Sequence, residues 1–210
     1  MVDKQKTIDK SITLSGTGLH TGQLGQITLH SAPENHGIKF RRVDIDEKPI
    51  IDADINLVVS TARGTTLAKN GYSLYTIEHL LAAFMGLGID NVMVDVDMEE
   101  IPIKDGSSIH FINAIKEAGI VEQKANRKYI EITEPISYKI PDKNIEMLIE
   151  PADKFSATVT IDFETEILGK QIATLDDINK FESEIAQCRT FVFLHELEFF
   201  VDGNLLVEHA

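Results

Sequence analysis

The 210-residue sequence contains a single cysteine, Cys188, and no tryptophan. One cysteine excludes an intrachain disulfide and a cysteine-cluster metal site. The 6 prolines and 13 glycines are too few for a fibrous or low-complexity chain. The longest apolar run, at 80–85, is far shorter than the roughly 20 residues that a membrane-spanning helix needs. The sequence therefore predicts a globular protein without a transmembrane segment.

Positive charge is also scarce, since 20 Lys and Arg residues stand against 34 Asp and Glu residues, a net charge of −14. A nucleic-acid surface requires positive charge at the phosphates, so we expect no nucleic-acid partner. The first ten residues lack the apolar core of a signal peptide, and we therefore expect a cytoplasmic protein. The composition gives no indication of the oligomeric state.

Hydrophobic spacing in the first part of the chain predicts strands followed by helices. Apolar residues recur every three or four positions over 76–87, which predicts a buried amphipathic helix with Thr76 as its cap. A second helix is predicted to open at 105–108 and to end at Gly119. Alternating patterns predict strands at 7–14, 26–30, 38–43 and 91–96.

The same order of elements returns after the polar stretch 122–128, which is typical of a domain junction. Strands followed by helices, twice over, predict an α+β fold of two similar domains, each a β-sheet packed against helices in a layered sandwich. We place these domains at 1–126 and 127–210. The elements predicted in the second are strands at 129–132, 136–140, 145–149 and 157–163, and helices at 176–185 and from 193 to 200.

The adjacent pair Glu78 and His79 is the clearest chemical candidate, because it lies in the first turn of a predicted helix. A metal-dependent hydrolase uses an imidazole to hold the ion and a carboxylate to take a proton from the bound water. The same pair is also common on ordinary helix surfaces. Adjacent side chains point about 100° apart, so both reach one water only at a helix end that faces a cleft.

Six short stretches of the chain form a recognisable series: GTGLHTG at 16–22, APEN at 32–35, TIEHLLAA at 76–83, GLGIDN at 86–91, IPIKDGS at 101–107 and RTF at 189–191. In this order and at these separations, they resemble the UDP-3-O-acyl-N-acetylglucosamine deacetylase family, from residue 4 to about residue 201. The members of that family are zinc hydrolases of lipid A and lipopolysaccharide biosynthesis in Gram-negative bacteria.

The resemblance implies a role for five side chains. Glu78 matches the general base that activates zinc-bound water, and His79 matches one of three zinc ligands. Thr190 matches the residue that stabilises the oxyanion, and Phe191 and His20 match residues that contact the substrate. The implied reaction is hydrolysis of the N-acetyl group of UDP-3-O-acyl-N-acetylglucosamine, with Zn²⁺ as cofactor. The resemblance also implies that Asp105 and Ser107 cap the second helix.

The sequence departs from the family after the RTF stretch. An H-K-x-x-D segment, which in the family supplies a histidine and an aspartate to zinc, occurs nowhere in it. We therefore expect a C-terminally truncated deacetylase with an incomplete second domain, or the N-terminal part of a bifunctional chain that also carries a hydroxyacyl-carrier-protein dehydratase. The alternative is a non-catalytic remnant. In either case we expect the 210 residues alone to be inactive, with Phe191, Phe193 and Phe199 uncovered.

Overall fold

A five-stranded sheet forms the centre of the first part of the fold. The computed structural model describes residues 3–192 and is of the α+β class. Its elements are β1 (Lys4–Ile8), β2 (Ile12–Thr17), β3 (Leu24–Ser31), β4 (Ile38–Arg42), β5 (Ile50–Asp52), β6 (Val58–Ser60), β7 (Thr66–Lys69), β8 (Tyr72–Leu74), α1 (Glu78–Leu87), β9 (Val92–Val96), α2 (Ile109–Ala118), β10 (Ile120–Asn126), β11 (Ile136–Ile140), β12 (Ile145–Ile149), β13 (Ala157–Asp162), β14 (Lys170–Leu175) and α3 (Phe181–Glu184).

The central sheet has the strand order β2-β3-β9-β4-β5, with β4 and β9 parallel and the other neighbours antiparallel. One face is apolar because alternate residues of each strand point the same way. Along β9, Val92, Val94 and Val96 are fully buried, and they share one core with Phe84 of α1 and Phe111 of α2. The two helices therefore cover one face of the sheet. β6, β7 and β8 form a separate small sheet, and β1 pairs with β10.

The two predicted helices of the first part are confirmed, at Glu78–Leu87 and Ile109–Ala118. The role predicted for Thr76 is wrong. Ile77 occupies the cap position without a side-chain hydrogen bond, and the Thr76 hydroxyl donates to Glu100 instead, over 2.9 Å. A threonine hydroxyl takes whichever acceptor the fold offers, and here that acceptor lies on another segment.

The polar stretch predicted as a junction is largely a strand. β10 runs over Ile120–Asn126 and pairs antiparallel with β1 at the other end of the first part. Its exposed polar side chains hide the strand in the sequence, because pairing with a distant partner rather than alternation defines it. Residues 129–132, predicted as a strand, have no regular structure. The helix predicted at 176–185 is a 3₁₀ turn at Ile178–Lys180 followed by α3.

The later strands form two antiparallel hairpins, β11–β12 and β13–β14. The strands predicted at 136–140, 145–149 and 157–163 are confirmed as β11, β12 and β13, whereas β14 was not predicted. Cross-strand pairing aligns Ile136 with Ile149, Tyr138 with Met147 and Ile140 with Ile145, so one face of the first hairpin is entirely apolar. Most of these side chains are exposed, as is Phe191. The expectation of uncovered apolar side chains is confirmed for Phe191, while Phe193, Phe199 and the helix predicted from 193 lie outside the described residues.

The α3 segment packs directly on the helices of the first part. Phe181 is buried against Gly86 of α1, and Lys116 of α2 forms an ion pair with Glu182 at 2.7 Å. The backbone N–H of Ser108 also donates to the carbonyl of Ala186 over 3.1 Å. Within residues 3–192, none of the helices has the length and apolar character needed to cross a membrane.

Candidate active site

Glu78 and His79 begin helix α1, and their side chains converge there. His79 Nε2 lies 3.8 Å from Glu78 Oε1, although neighbouring positions of a helix point in different directions. The other carboxylate oxygen, Glu78 Oε2, accepts a hydrogen bond from the backbone N–H of Thr65 over 2.9 Å. A carboxylate in the first turn is also favoured by the helix dipole. The structure thus places the imidazole and the carboxylate close together in the first turn of α1.

His20 approaches the same carboxylate across Gly64. A Cβ built on Gly64 would lie 3.5 Å from His20 Nε2 and 3.5 Å from Glu78 Oε1. The two polar atoms therefore face the same small space beside the 61–65 loop. His20 comes from the glycine-rich turn between β2 and β3, so three separate segments of the chain meet at this point.

Glu100 anchors the turn that carries His20. Its carboxylate accepts the backbone N–H of His20 over 3.0 Å and the backbone N–H of Thr21 over 2.8 Å. We did not single out Glu100 or Gly64 in the sequence. The sequence does contain an indication that Glu100 is buried. The alternation of inward-facing residues in β9 continues beyond Val96 through Met98 to Glu100.

Thr190 and Phe191 are held by other elements. The backbone N–H of Thr190 donates to the carbonyl of Gly106 over 2.8 Å, and the Phe191 ring packs on Phe163 at a centroid distance of 5.2 Å. Within residues 3–192, no hydrogen bond links Thr190 to Glu78 or His79. The structure therefore brings His20, Glu78 and His79 together and places Thr190 and Phe191 against different neighbours.

Asp105 organises the loop on which Thr190 rests. Its carboxylate accepts the Ser107 hydroxyl over 2.6 Å and the Ser107 backbone N–H over 3.1 Å. His110 and Arg189 lie 3.2 Å and 3.3 Å from it. The Ser107 hydroxyl bond, together with the Ser107 backbone bond and the nearby Arg189 guanidinium, outweighs desolvation and lowers the pKa of Asp105 to about 2.

The capping role expected for Asp105 and Ser107 is corrected in part. The cap position of α2 is Ser108, which makes no side-chain cap hydrogen bond. The Ser107 hydroxyl accepts the N–H of Ile109, the first helical residue, but over a long 3.4 Å. Asp105 bonds to Ser107 rather than to the helix, so it shapes the turn that precedes α2.

A complete zinc site is not formed by the part of the chain that the structure describes. No group of three or more His, Cys, Asp or Glu side chains in residues 3–192 could hold a metal ion. Catalytic zinc sites use three protein ligands, and His79 offers one imidazole with the Glu78 carboxylate beside it. The described residues therefore offer one histidine ligand, with an adjacent carboxylate, rather than the three ligands of such a site.

Comparison with known proteins gives one consistent family. The model of UDP-3-O-acyl N-acetylglycosamine deacetylase, LpxC, matches residues 5–208. The chain is 44% identical over 198 residues to the UDP-3-O-acyl-N-acetylglucosamine deacetylase of Methylococcus capsulatus, covering 93% of this chain and 64% of that protein. It is 39% identical over 207 residues to the enzyme of the same name from Neisseria gonorrhoeae, covering 96% and 67%.

A second kind of relative carries two activities in its name. The "Bifunctional enzyme LpxC/FabZ" of Porphyromonas gingivalis is 41% identical over 205 residues, which cover 98% of this chain and 44% of that protein. The chain thus spans less than half of this bifunctional relative and about two thirds of the others. On the family match and these identities, the chain belongs to the LpxC family of UDP-3-O-acyl N-acetylglycosamine deacetylases.

Proposed function

We propose that the chain is the part of a cytoplasmic deacetylase that supplies the catalytic base. The enzyme removes the N-acetyl group of UDP-3-O-acyl-N-acetylglucosamine in lipid A biosynthesis. The observation that carries this proposal is the geometry around the Glu78 carboxylate, which lies close to His79 at the start of α1 and faces His20 across Gly64. Family membership supplies the substrate class, because the relatives are named for this deacetylation.

In the proposed reaction, Glu78 takes a proton from the water that attacks the acetamide carbonyl. The N–H of Thr65 fixes one oxygen of the Glu78 carboxylate and leaves the other facing His79 and the space beside Gly64. A base held in this way is oriented before the substrate arrives, which lowers the cost of reaching the transition state. The adduct then collapses with cleavage of the C–N bond, and the leaving nitrogen takes up a proton, which gives acetate and the free 2-amino sugar nucleotide.

Three further side chains have proposed roles in binding and charge stabilisation. The Thr190 hydroxyl donates to the oxyanion that forms as water adds to the carbonyl. His20 binds the substrate beside Gly64, and Phe191 packs against the substrate. The exposure of the Phe191 ring is consistent with a contact of this kind.

His79 is proposed as one zinc ligand, and the other ligands of the enzyme lie outside the described residues. Zinc, when bound, lowers the pKa of a water and polarises a carbonyl. The described residues do not complete its coordination. The chain's own contribution is the base, the imidazole ligand and the substrate contacts.

We propose that the two domains are 1–126 and 127–210, of which the second is completed by further chain. The bifunctional relatives, of which this chain covers 44%, support a longer protein that also carries a dehydratase. The competing proposal is a remnant that keeps the fold of the first domain without catalysis. The exposed apolar face of the β11–β12 hairpin is compatible with both.

A chimera separates the two proposals. The first 191 residues of this chain are joined to the C-terminal remainder of the Methylococcus capsulatus relative, and acetate release from UDP-3-O-acyl-N-acetylglucosamine is measured with Zn²⁺ present. We expect the chimera to be active and the 210-residue chain alone to be inactive. Glu78→Gln in the chimera removes the proposed base. Its matched control is Glu117→Gln, which makes the same change at an exposed glutamate of α2, away from the site.

A folded but inactive chimera would support the remnant. Hydrolysis by the 210-residue chain alone, abolished by Glu78→Gln and by a chelator, would overturn the expectation that these residues are inactive in isolation.

A further inference from the structure

Glu100 is a fully buried carboxylate whose hydrogen-bond donors are all neutral. It accepts the backbone N–H groups of His20 and Thr21 and the side-chain hydroxyls of Thr21 and Thr76. The four donors lie between 2.8 and 3.0 Å from their nearer carboxylate oxygen. Burial acts to raise the pKa of Glu100, but these hydrogen bonds outweigh it and hold the pKa below its ordinary value. The buried Glu100 side chain is therefore held as a carboxylate, although the proposed reaction gives it no role.

The carboxylate connects the two segments that carry the catalytic candidates. On one side it holds the turn of His20, and on the other it holds Thr76, two residues before Glu78. Thr76 has a φ of +60°, a left-handed conformation that a β-branched residue rarely adopts. The hydrogen bond to Glu100 therefore fixes the direction in which the chain enters α1.

The local sequence is adapted to this buried charge. A Cβ on Gly18 would lie 2.4 Å from Glu100 Oε2, so only glycine lets the turn approach the carboxylate. Backbone hydrogen bonds on either side of Glu100 also hold it in place. The N–H of Tyr75 donates to the carbonyl of Glu99 over 2.9 Å, and the N–H of Ile101 donates to the carbonyl of Tyr75 over 3.1 Å.

We propose that Glu100 is a positioning residue that sets the distance between His20 and Glu78 across Gly64. The inference rests on the proposed function, which gives His20 and Glu78 their roles. It goes beyond the proposed function because it gives a role to Glu100, which does not itself contact the reacting groups. The Thr76 hydroxyl and the His20 N–H bond to the same carboxylate, so a change at Thr76 reaches His20 through Glu100.

The test measures amide hydrogen exchange by NMR in the 210-residue chain. Thr76→Val keeps the branched shape and removes the hydroxyl. We expect it to raise the exchange rate of the His20 amide about tenfold, the equivalent of one hydrogen bond to a charged group. Thr76→Ser restores the hydroxyl and should return the rate to within about twofold of the starting protein. The amide of Val94, in the central sheet, reports any global loss of stability.

Thr13→Val is the matched control. It removes a hydroxyl that pairs with Thr28 over 2.9 Å on the exposed face of the sheet, and should leave His20 unchanged. In Glu100→Gln the His20 rate should rise, and adding Thr76→Val should raise it no further. If Glu100→Gln does not fold, the Thr76 valine and serine variants still decide the question.

The proposal is overturned if Thr76→Val leaves the His20 exchange rate unchanged, or if Val94 accelerates as much as His20. Because exchange rates do not depend on deacetylation, the outcome is separate from that of the proposed function. An inactive chimera with coupled His20 and Thr76 would contradict the function and support the positioning role. An active chimera without the coupling would contradict the positioning role only.

Discussion

Replacing Gly86 with alanine tests how the later part of the chain docks on the helix that carries Glu78 and His79. Gly86 lies in the last turn of α1, directly under the ring of Phe181 from α3. An alanine Cβ at this position would lie 2.2 Å from Phe181 Cδ1 and 2.7 Å from its Cγ. Neither distance is possible between carbon atoms, so the ring has to move.

The magnitude follows from two opposing effects. Alanine favours the helix over glycine by about 1 kcal/mol. Overpacking a buried contact costs about 1–3 kcal/mol, and Phe181 is only 8% exposed. The Phe181 ring can move into a neighbouring apolar cavity of about 230 Å³, which it helps to line. In doing so it loses its packing contact with α1. We expect Gly86→Ala to lower the free energy of unfolding by about 1 kcal/mol, and by no more than about 2 kcal/mol.

The sign should reverse when the ring is absent. In a Phe181→Ala background the space above Gly86 is open, so Gly86→Ala should then stabilise the protein by about 1 kcal/mol. The assay is urea unfolding of the four proteins of this cycle, followed by far-UV circular dichroism because the chain has no tryptophan. The reasoning is refuted if Gly86→Ala stabilises the starting protein and the Phe181→Ala protein equally.

Three further predictions concern pH, local stability and metal. The pKa of Asp105 is about 2 in the fold against an ordinary 3.8, so the ionised carboxylate stabilises the protein above pH 4 and this contribution is lost as the pH falls towards 2. The difference in unfolding free energy between the protein and Asp105→Asn should therefore disappear over that range. A difference that stays constant with pH would contradict this prediction. Amides of the β11–β12 and β13–β14 hairpins should exchange faster than those of β3 and β9, and equal protection on the two sides of residue 126 would argue against an incomplete second domain. The 210-residue chain should retain no stoichiometric zinc after gel filtration, because one imidazole is too few ligands. Tight zinc binding that is lost in His79→Ala would contradict this, since it would require further ligands in this chain.

The helices α1 and α2 and the strands β11, β12 and β13 could be predicted because their patterns are local. The three- and four-residue spacing of α1 and the alternation of β9 each reflect one buried face. β5 to β8 could not be predicted in this way. They are three or four residues long, and they exist through pairing with neighbours rather than through their own pattern.

For the candidate site, only the residues that a motif or the family resemblance reveals could be proposed from the sequence. Glu78 and His79 are adjacent in the chain, so a motif reveals them, and the resemblance added His20. The approach of Glu78 to His20 beside Gly64 depends on three segments that only the tertiary fold brings together. Glu100 was missed because an acidic residue is expected at the surface, although its place in the inward alternation after β9 would have indicated burial.

The most direct test of the account is the effect of Glu78→Gln on kcat/KM for deacetylation by the chimera. A general base contributes about 10²–10⁴-fold to the rate, so we predict a fall of that size, with Glu117→Gln within about twofold of the parent. Glu78→Gln at an undiminished rate would contradict the assignment of the base and, with it, the site built around Gly64.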